Sequence, residues 1–393
     1  MTTKQNISTL CIHGGDITDV LGSPSMPLYD TTTFGFDSTA DLLEVVNGTK
    51  EGYLYTRYGM NPSIKALESK LALLDGAEQS LVFSSGMAAI SALFLTYARR
   101  GMICVGDIYG GTMQLLTEQL PELGIVTQFI DPADLVHLEK QLQVGIDLVF
   151  FETPSNPTLK IIDITEITKL AHKYGALVAI DNTFASPANQ KPLLLGADFA
   201  IQSATKFLGG HSDLTAGVLS GQTKYLNRIN AWRKNLGQML APEIAHKLVR
   251  SLSTLPLRIQ RHNSNALAIA HYLEAHSTVN HVYYPGLAGS AHHEVAKKQM
   301  SGFGGMLSFE IKGGGEAAIK LVDNLQLFYL APSLGGTESL VSQPVTTSHF
   351  GMPEQALLDR GITSSLIRLS VGLEEVSDLI QDLEQAIASL NFK

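Results

Sequence analysis

Residues 176–183 read Ala-Leu-Val-Ala-Ile-Asp-Asn-Thr, a short apolar run that ends on a carboxylate. The run predicts a buried strand, because side chains on both of its faces are apolar. Similar apolar runs lie at 102–105, 147–151 and 199–201. They alternate along the chain with helical patterns at 86–100, 114–123 and 164–174. This alternation is typical of an α/β fold whose mostly parallel sheet is covered by helices on both faces.

Chemically versatile side chains follow three of these predicted strands. Glu152, Asp181 and Lys206 each lie just past the apolar part of a strand. Sheets of this kind bind their ligands beyond the carboxyl ends of the strands. We therefore expect the functional site at that edge of the sheet.

The chain is predicted to have three parts. Residues 1–60 look irregular and need something to pack on, for which a neighbouring subunit is one candidate. Asn61-Pro62 predicts the start of a helix, and with it a large domain at 61–250. Beyond it, a helix, a strand and an amphipathic C-terminal helix predict a smaller α+β domain at 251–393.

Composition excludes several classes of protein. The chain has 393 residues, 45% of them hydrophobic, which is enough for a sizeable core. A formal net charge of -9 disfavours nucleic acid and anionic lipid as partners. The first six residues have no signal-peptide pattern, and the apolar helix at 86–98 is too short to span a membrane. Cys11 and Cys104 have no metal-ligand spacing, so we expect no metal and a cytoplasmic protein with reduced thiols.

Lys206 is the most informative single residue. It lies in the stretch 203–213, Ser-Ala-Thr-Lys-Phe-Leu-Gly-Gly-His-Ser-Asp, shortly after an apolar strand. A lysine desolvated by apolar neighbours becomes a nucleophilic amine that can condense with an aldehyde. The alternative is an ordinary surface lysine. On a regular strand, Ser203 and Thr205 would point away from Lys206 unless the chain bends there.

Two further features can be parts of a cofactor site. Ser84-Ser85-Gly86-Met87 opens a helix, whose free N–H groups and dipole favour an anion such as phosphate. The alternative is a plain serine N-cap. Asp181 could pair with a protonated pyridine nitrogen and keep it electron-withdrawing, or it could cap a turn.

Three more residues complete the candidate site. Tyr109, on the loop after a strand, could stack on a ring and move a proton, or it could be a half-buried loop tyrosine. Arg57, beside Tyr55, could complete a phosphate cradle or be a solvated surface residue. Arg368 lies between apolar residues, so it needs an anion, which could be a substrate carboxylate or a carboxylate of the chain.

These residues, taken together, resemble one known family. The Glu-Thr-Pro-Ser-Asn-Pro stretch at 152–157, Asp-Asn-Thr at 181–183, Ser-Ala-Thr-Lys at 203–206 and Ser-Leu-Gly-Gly at 333–336 occur in that family's order. The family comprises the pyridoxal-phosphate (PLP) enzymes cystathionine γ-synthase, γ-lyase and β-lyase. The resemblance implies an aspartate-aminotransferase-like α/β fold, called fold type I.

The resemblance also implies roles for individual residues. Lys206 would hold PLP covalently and shuttle protons, Asp181 would pair with the ring nitrogen, and Tyr109 would stack on the ring. The remaining roles are phosphate binding by Gly86, Met87, Ser203 and Thr205, contact with the ring hydroxyl by Asn156, and binding of the substrate carboxylate by Ser333 and Arg368. Tyr55 and Arg57 would reach the phosphate of a neighbouring subunit, which implies a homodimer that pairs into a homotetramer.

The sequence departs from the family pattern at three places. Three residues separate Arg57 from Asn61, one more than in the usual motif of the family. Gly111 stands where methionine γ-lyases carry cysteine, which counts against that activity. Pro332 stands where many γ-lyases and bacterial γ-synthases have glutamate.

The expected function is that of a carbon–sulfur lyase acting on cystathionine by β- or γ-elimination. The main alternative is cystathionine γ-synthase, which condenses an acylated homoserine with cysteine. Less favoured alternatives are a methionine γ-lyase, a homoserine-ester sulfhydrylase, an aminotransferase and a non-catalytic PLP-binding regulator.

Overall fold

The computed structural model describes residues 5–15, 19 and 21–390. Its larger sheet has seven strands in the order β1-β7-β6-β5-β4-β2-β3. The strands are β1 Gln79–Phe83, β2 Met102–Val105, β3 Thr127–Ile130, β4 Leu148–Glu152, β5 Leu177–Asp181, β6 Phe199–Ser203 and β7 Gly217–Gly221. The two pairs that contain β7 are antiparallel, and the other four pairs are parallel. The predicted mostly parallel sheet is therefore confirmed.

Helices flank both sheets. They are α1 Ile7–His13, α2 Thr39–Val46, α3 Pro62–Asp75, α4 Gly86–Tyr97, α5 Gly110–Gln114, α6 Leu120–Glu122, α7 Leu135–Leu142, α8 Ile164–Lys173, α9 Ser186–Asn189, α10 Thr223–Asn235, α11 Pro242–Leu252, α12 Leu255–Ala275, α13 His293–Gln299, α14 Gly314–Asn324, α15 Glu354–Leu358 and α16 Val376–Ala388. On the larger sheet, α4 and α10 cover one face and α7 and α8 the other. Both faces of the strands are thus buried, which explains their continuous apolar sequence.

The smaller sheet has five strands in the order β10-β11-β12-β9-β8. They are β8 Val279–Tyr283, β9 Met306–Ile311, β10 Tyr329–Leu330, β11 Leu340–Ser342 and β12 Leu366–Ser370. Helices α12, α14 and α16 pack against this sheet in one apolar core. The expected smaller α+β unit is present, while the exact boundary at 250–251 stays a prediction.

Three strands of the larger sheet, β1, β3 and β7, were not predicted from the sequence. In β3 the middle two residues are exposed, so the apolar pattern of an edge strand is weak. In β7 only Val218 and Leu219 are apolar, and glycines flank them at 217 and 221. Gly217 is required, because a Cβ there would lie 2.0 Å from the Ser85 carbonyl oxygen. This need for space is invisible in the local sequence.

The N-terminal region is more regular than predicted, since it contains α1 and α2. Cys11 of α1 is fully buried in a core of this same chain. The Lys70 ammonium donates to the carbonyl oxygens of Cys11 at 2.9 Å and Ile12 at 3.1 Å. Helices of seven and eight residues depend on such packing rather than on their own sequence pattern. Contact between the arm at 1–60 and a neighbouring subunit stays a prediction.

No helix in the described part of the chain combines the length and the apolar character needed to cross a membrane.

Candidate active site

A cavity of about 550 Å³ opens where β4, β5 and β6 end. Its walls include ten of the predicted site residues: Gly86, Met87, Tyr109, Asn156, Asp181, Ser203, Thr205, Lys206, Ser333 and Arg368. Parallel neighbouring strands bring their carboxyl ends to one edge, and Glu152 pairs directly with Asp181 in the register of β4 and β5. The site therefore lies where the sheet topology predicts it.

Lys206 follows a bend rather than a straight strand. Strand β6 ends at Ser203, and the Lys206 N–H donates to the Ser203 carbonyl oxygen at 3.1 Å. This turn removes the alternation that would have separated Lys206 from Ser203 and Thr205, and all three line the cavity. The Lys206 Nζ donates to the Ser333 Oγ at 2.9 Å. Burial, together with the nearby charge of Arg368, lowers the pKa of Lys206, which favours the neutral amine.

Asp181 is a buried carboxylate that is held in place by neutral donors. Its Oδ1 accepts from the Thr183 N–H at 3.0 Å and from the Thr183 hydroxyl at 2.5 Å. The same hydroxyl accepts from the Ser203 N–H at 2.8 Å, which ties β5 to the bend before Lys206. Burial raises the pKa of Asp181. Within the described residues no basic side chain lies within 4 Å of this carboxylate, so a ligand can supply the missing cation.

The N-terminus of α4 faces the cavity. Ser85 caps this helix by accepting from the Ala88 N–H at 3.1 Å. A Cβ on Gly86 would lie 2.9 Å from the Ser203 Cβ, so glycine allows the helix to sit directly against the end of β6. The first N–H groups of a helix have no intrahelical partners. Together with Ser203 and Thr205, which line the same cavity, they can form a cradle for an anion.

Arg368 lies on β12 of the smaller sheet and is buried. Its Nη1 donates to the Asn156 Oδ1 at 2.9 Å, and its Nη2 donates to the Ser333 carbonyl oxygen at 3.3 Å. Burial lowers the pKa of Arg368 to about 10, so the guanidinium stays charged at neutral pH. No carboxylate of the described residues lies within ion-pair distance, so the alternative of a structural ion pair is not what is observed.

Sequence reasoning assigned no role to Glu152, although it noted the position. The Glu152 Oε2 accepts from the Tyr109 N–H at 2.9 Å and so fixes the loop that carries the tyrosine, whose side chain is 48% exposed. Burial and the neighbouring Asp181 raise the pKa of Glu152 well above its usual value. Three further lining residues, Thr346, Thr347 and Ser348, were missed because no local pattern marks them.

Tyr55 and Arg57 lie outside the residues that line the cavity of their own chain. The Arg57 Nη1 donates to the Lys234 carbonyl oxygen at the end of α10, at 2.8 Å. Its guanidinium carbon lies 5.1 Å from the centre of the Tyr58 ring and 5.6 Å from that of Tyr55. The role of both residues in a neighbouring site stays a prediction.

The residues that line the cavity fit PLP. The cradle at α4 suits its phosphate, the unpaired Asp181 carboxylate suits its ring nitrogen, and the desolvated Lys206 amine suits its aldehyde. Arg368 remains available for a substrate carboxylate.

Comparison with known proteins agrees with this reading. The family described as Cys/Met metabolism PLP-dependent enzyme matches residues 8–388. Cystathionine γ-synthase 1 of Arabidopsis thaliana is 41% identical over 97% of this chain and 69% of its own length. Cystathionine β-lyase of Lactococcus lactis is 42% identical over 97% and 99%.

A solved structure shows the same relationship. Cystathionine γ-lyase of Lactobacillus plantarum, complexed with L-serine, superposes with a TM-score of 0.91 at 38% identity, covering 98% of this chain and 99% of its own. The fold is therefore fold type I, and the cofactor is PLP. The chain belongs to the family of PLP-dependent enzymes of cysteine and methionine metabolism.

Proposed function

We propose that this protein is a carbon–sulfur lyase that acts on cystathionine. One observation carries the proposal: a single cavity holds a desolvated lysine amine, an unpaired buried carboxylate and a guanidinium without an anionic partner. Together they match an amino-acid substrate that loses its Cα proton next to a cofactor with a protonated ring nitrogen. The relatives that cleave cystathionine support the choice of substrate.

Different side chains of the cavity have different roles in such a reaction. Arg368 binds the substrate carboxylate, and Asn156 holds the guanidinium in place at 2.9 Å. Lys206 removes the Cα proton, which its lowered pKa favours, and the Ser333 hydroxyl orients its amine at 2.9 Å. PLP, when bound, supplies the electron sink for the charge left at Cα. Asp181 keeps the ring nitrogen protonated, and the Tyr109 phenol, on the cavity wall, can donate a proton to the departing sulfur.

Cystathionine γ-synthase is the second candidate. A relative with that activity is nearly as similar as the β-lyase, at 41% against 42% identity. The proton removal at Cα is common to both activities, so it does not separate them. Pro332 lines the cavity without offering an acidic group. Many γ-lyases and bacterial γ-synthases have a glutamate at this position, so their substrate specificity cannot be carried over to this chain.

A product assay separates the candidates. We expect the purified enzyme to release a keto acid, ammonia and a thiol from cystathionine alone. Turnover only with O-succinylhomoserine plus cysteine would show a γ-synthase instead. An aminotransferase would need an added keto acid and would accumulate pyridoxamine phosphate. A protein that binds PLP but turns over none of these, nor methionine or cysteine, would be a regulator.

We also propose that Arg57 acts across a subunit boundary within a homodimer that pairs into a tetramer. Its position outside the cavity of its own chain supports this. Mixing the inactive variants Arg57→Ala and Lys206→Ala should restore part of the activity, because each hybrid dimer contains one site with both residues intact. Activity should be measured after reassembly, with hybrids identified by mass.

The matched control mixes Asp181→Ala with Lys206→Ala. Both residues line the cavity of the same chain, so every site of that hybrid keeps one defect and should stay inactive. Hybrids of the Arg57 pair that form yet remain as inactive as this control would show that Arg57 serves its own subunit or none.

Two further proposals follow from the same chain. Cys11 and Cys104 are buried free thiols, which supports a location in the reducing cytoplasm.

The two sheets, each with its own apolar core, support the division into a PLP-binding domain at 61–250 and a smaller domain at 251–393.

A further inference from the structure

One wall of the cavity comes from a segment that sequence reasoning did not assign. Residues 343–362, here called the flap, form most of the connection between β11 and β12 and include α15. The hydroxyl-bearing residues Thr346, Thr347 and Ser348 near its start line the cavity. The flap therefore contributes polar groups to a site whose other walls come mainly from the larger sheet.

Three charged residues connect the flap to the larger sheet. The Asp107 Oδ2 accepts from the Lys160 Nζ at 2.9 Å, and its Oδ1 lies 3.5 Å from the Arg360 Nε of the flap. The Lys160 Nζ also donates to the Arg360 carbonyl oxygen at 3.5 Å. The Asp107 side chain is 14% exposed, so solvent screens these contacts less than on an open surface. We call these three residues the clasp.

Each residue of the clasp belongs to a loop or segment that also contributes a residue to the cavity. Asp107 precedes Tyr109 by two positions, Lys160 follows Asn156 by four, and Arg360 belongs to the segment of Ser348. The clasp thus joins three loops that are far apart in the chain. A shift of any one loop would move a cavity residue with it.

One close contact and the charge state of His349 characterise the junction between the flap and the Tyr109 loop. A Cβ on Gly110 would lie 2.6 Å from the Ser348 carbonyl oxygen, so the flap touches the backbone beside Tyr109. Burial lowers the pKa of the adjacent His349 to about 4, with Asp107 opposing and Arg360 and Arg368 adding to this shift. His349 is therefore neutral at physiological pH, which leaves Lys160 and Arg360 as the cations around Asp107 among the described residues.

We propose that Asp107 is a positioning residue, which holds the flap against the Tyr109 loop and thereby fixes the hydroxyl-bearing wall that meets the substrate beyond its Cα. Asp107 lies outside the residues that line the cavity, so it acts through the flap and not on the reacting atoms. That this wall contacts a sulfur amino acid rests on the proposed function. That the clasp holds the flap in place does not.

The test is Asp107→Asn in the PLP-loaded enzyme, which keeps the shape of the side chain and removes the shared anion. Amide hydrogen exchange of residues 344–362 should accelerate by roughly 5- to 30-fold, the factor for a local loss of one or two kcal/mol. KM for cystathionine should rise by a similar factor, roughly 5- to 30-fold, while kcat and the cofactor absorption stay close to wild type. Arg360→Met should have a smaller effect, and adding it to Asp107→Asn should change little further.

Asp147→Asn is the matched control. Asp147 also accepts from an arginine, Arg100, at 2.7 Å, and its side chain is 22% exposed, but it precedes β4 at the other end of the sheet. The Asp147→Asn variant should leave the amide hydrogen exchange of the flap and the KM for cystathionine unchanged. The proposal is overturned if Asp107→Asn behaves like this control, or if it lowers kcat or cofactor binding while KM and flap exchange stay the same.

Two further comparisons test the proposal if the variant does not fold or if the enzyme turns over no sulfur amino acid. If Asp107→Asn does not fold, Arg360→Lys should preserve flap exchange and KM while Arg360→Met does not; equal behaviour of the two would contradict the clasp. If no sulfur amino acid is turned over, the proposed function fails, and the hydrogen-exchange comparison by itself decides whether Asp107 holds the flap.

Discussion

Lys206→Ala should lower turnover of cystathionine by roughly 10²- to 10⁴-fold or more, the range that a positioned general base contributes. The loss follows from the buried amine, whose lowered pKa keeps it ready to accept the Cα proton. The variant should still bind PLP non-covalently, because the phosphate cradle at α4 and the carboxylate of Asp181 remain. The measurement is steady-state release of keto acid at saturating PLP.

Lys206→Arg is the control that separates charge from chemistry. It keeps a cation in the cavity but offers no amine that condenses with an aldehyde. We expect it to be as inactive as Lys206→Ala. The wild-type protein should be yellow, and borohydride should bleach it and leave the cofactor bonded to Lys206. Labelling of another lysine, or an active Lys206→Ala variant, would contradict the central assignment.

Asp181→Asn should weaken cofactor binding and slow removal of the Cα proton. A lost charge-assisted hydrogen bond costs about 1.5–3 kcal/mol, or about tenfold to a hundredfold in affinity. Proton removal should suffer further, because the ring nitrogen is no longer held in its protonated state. The direct measurement is exchange of the substrate Cα proton in deuterated water.

Stability of the apoprotein gives an independent readout for Asp181. Its pKa is raised in the folded state, so the favourable contribution of this carboxyl is present at low pH and is lost as pH rises through that value. The ionised form of this carboxyl is a buried charge that has no cation of the described residues beside it. Asp181→Asn removes this charge, and we expect the thermal stability of the apoprotein at neutral pH not to fall, while the stabilisation that PLP adds becomes smaller.

Asp198→Asn is the matched control for Asp181. Asp198 is also buried, but it precedes β6 at the opposite end of the sheet, where its Oδ2 accepts from the Val178 N–H at 2.8 Å. This control should lower stability and spare isotope exchange. An unchanged exchange rate in Asp181→Asn would rule out its assigned role.

The sequence predicted the mostly parallel sheet from four of its seven strands, several of its helices and most of the cavity. Continuous apolar runs such as 177–180 predict buried parallel strands because both faces must be covered, and parallel strands place Asp181 and the bend before Lys206 at one edge. These are local patterns combined with a general rule of topology, so they can be read without coordinates. Strand β7 was missed because its Gly217 meets a steric need set by Ser85, which is distant in the chain.

Only the tertiary structure decided how the distant segments meet. It placed the flap against the Tyr109 loop, gave Arg368 an amide oxygen of Asn156 instead of an ion pair, and left Asp181 without a cation. The physical reason is the same in each case. Burial and partner choice depend on which loops converge in space, and loops separated by more than two hundred residues, such as those of Asn156 and Arg368, carry no shared local pattern. The sequence thus determined which chemical groups this protein has, and the fold decided which of them face each other.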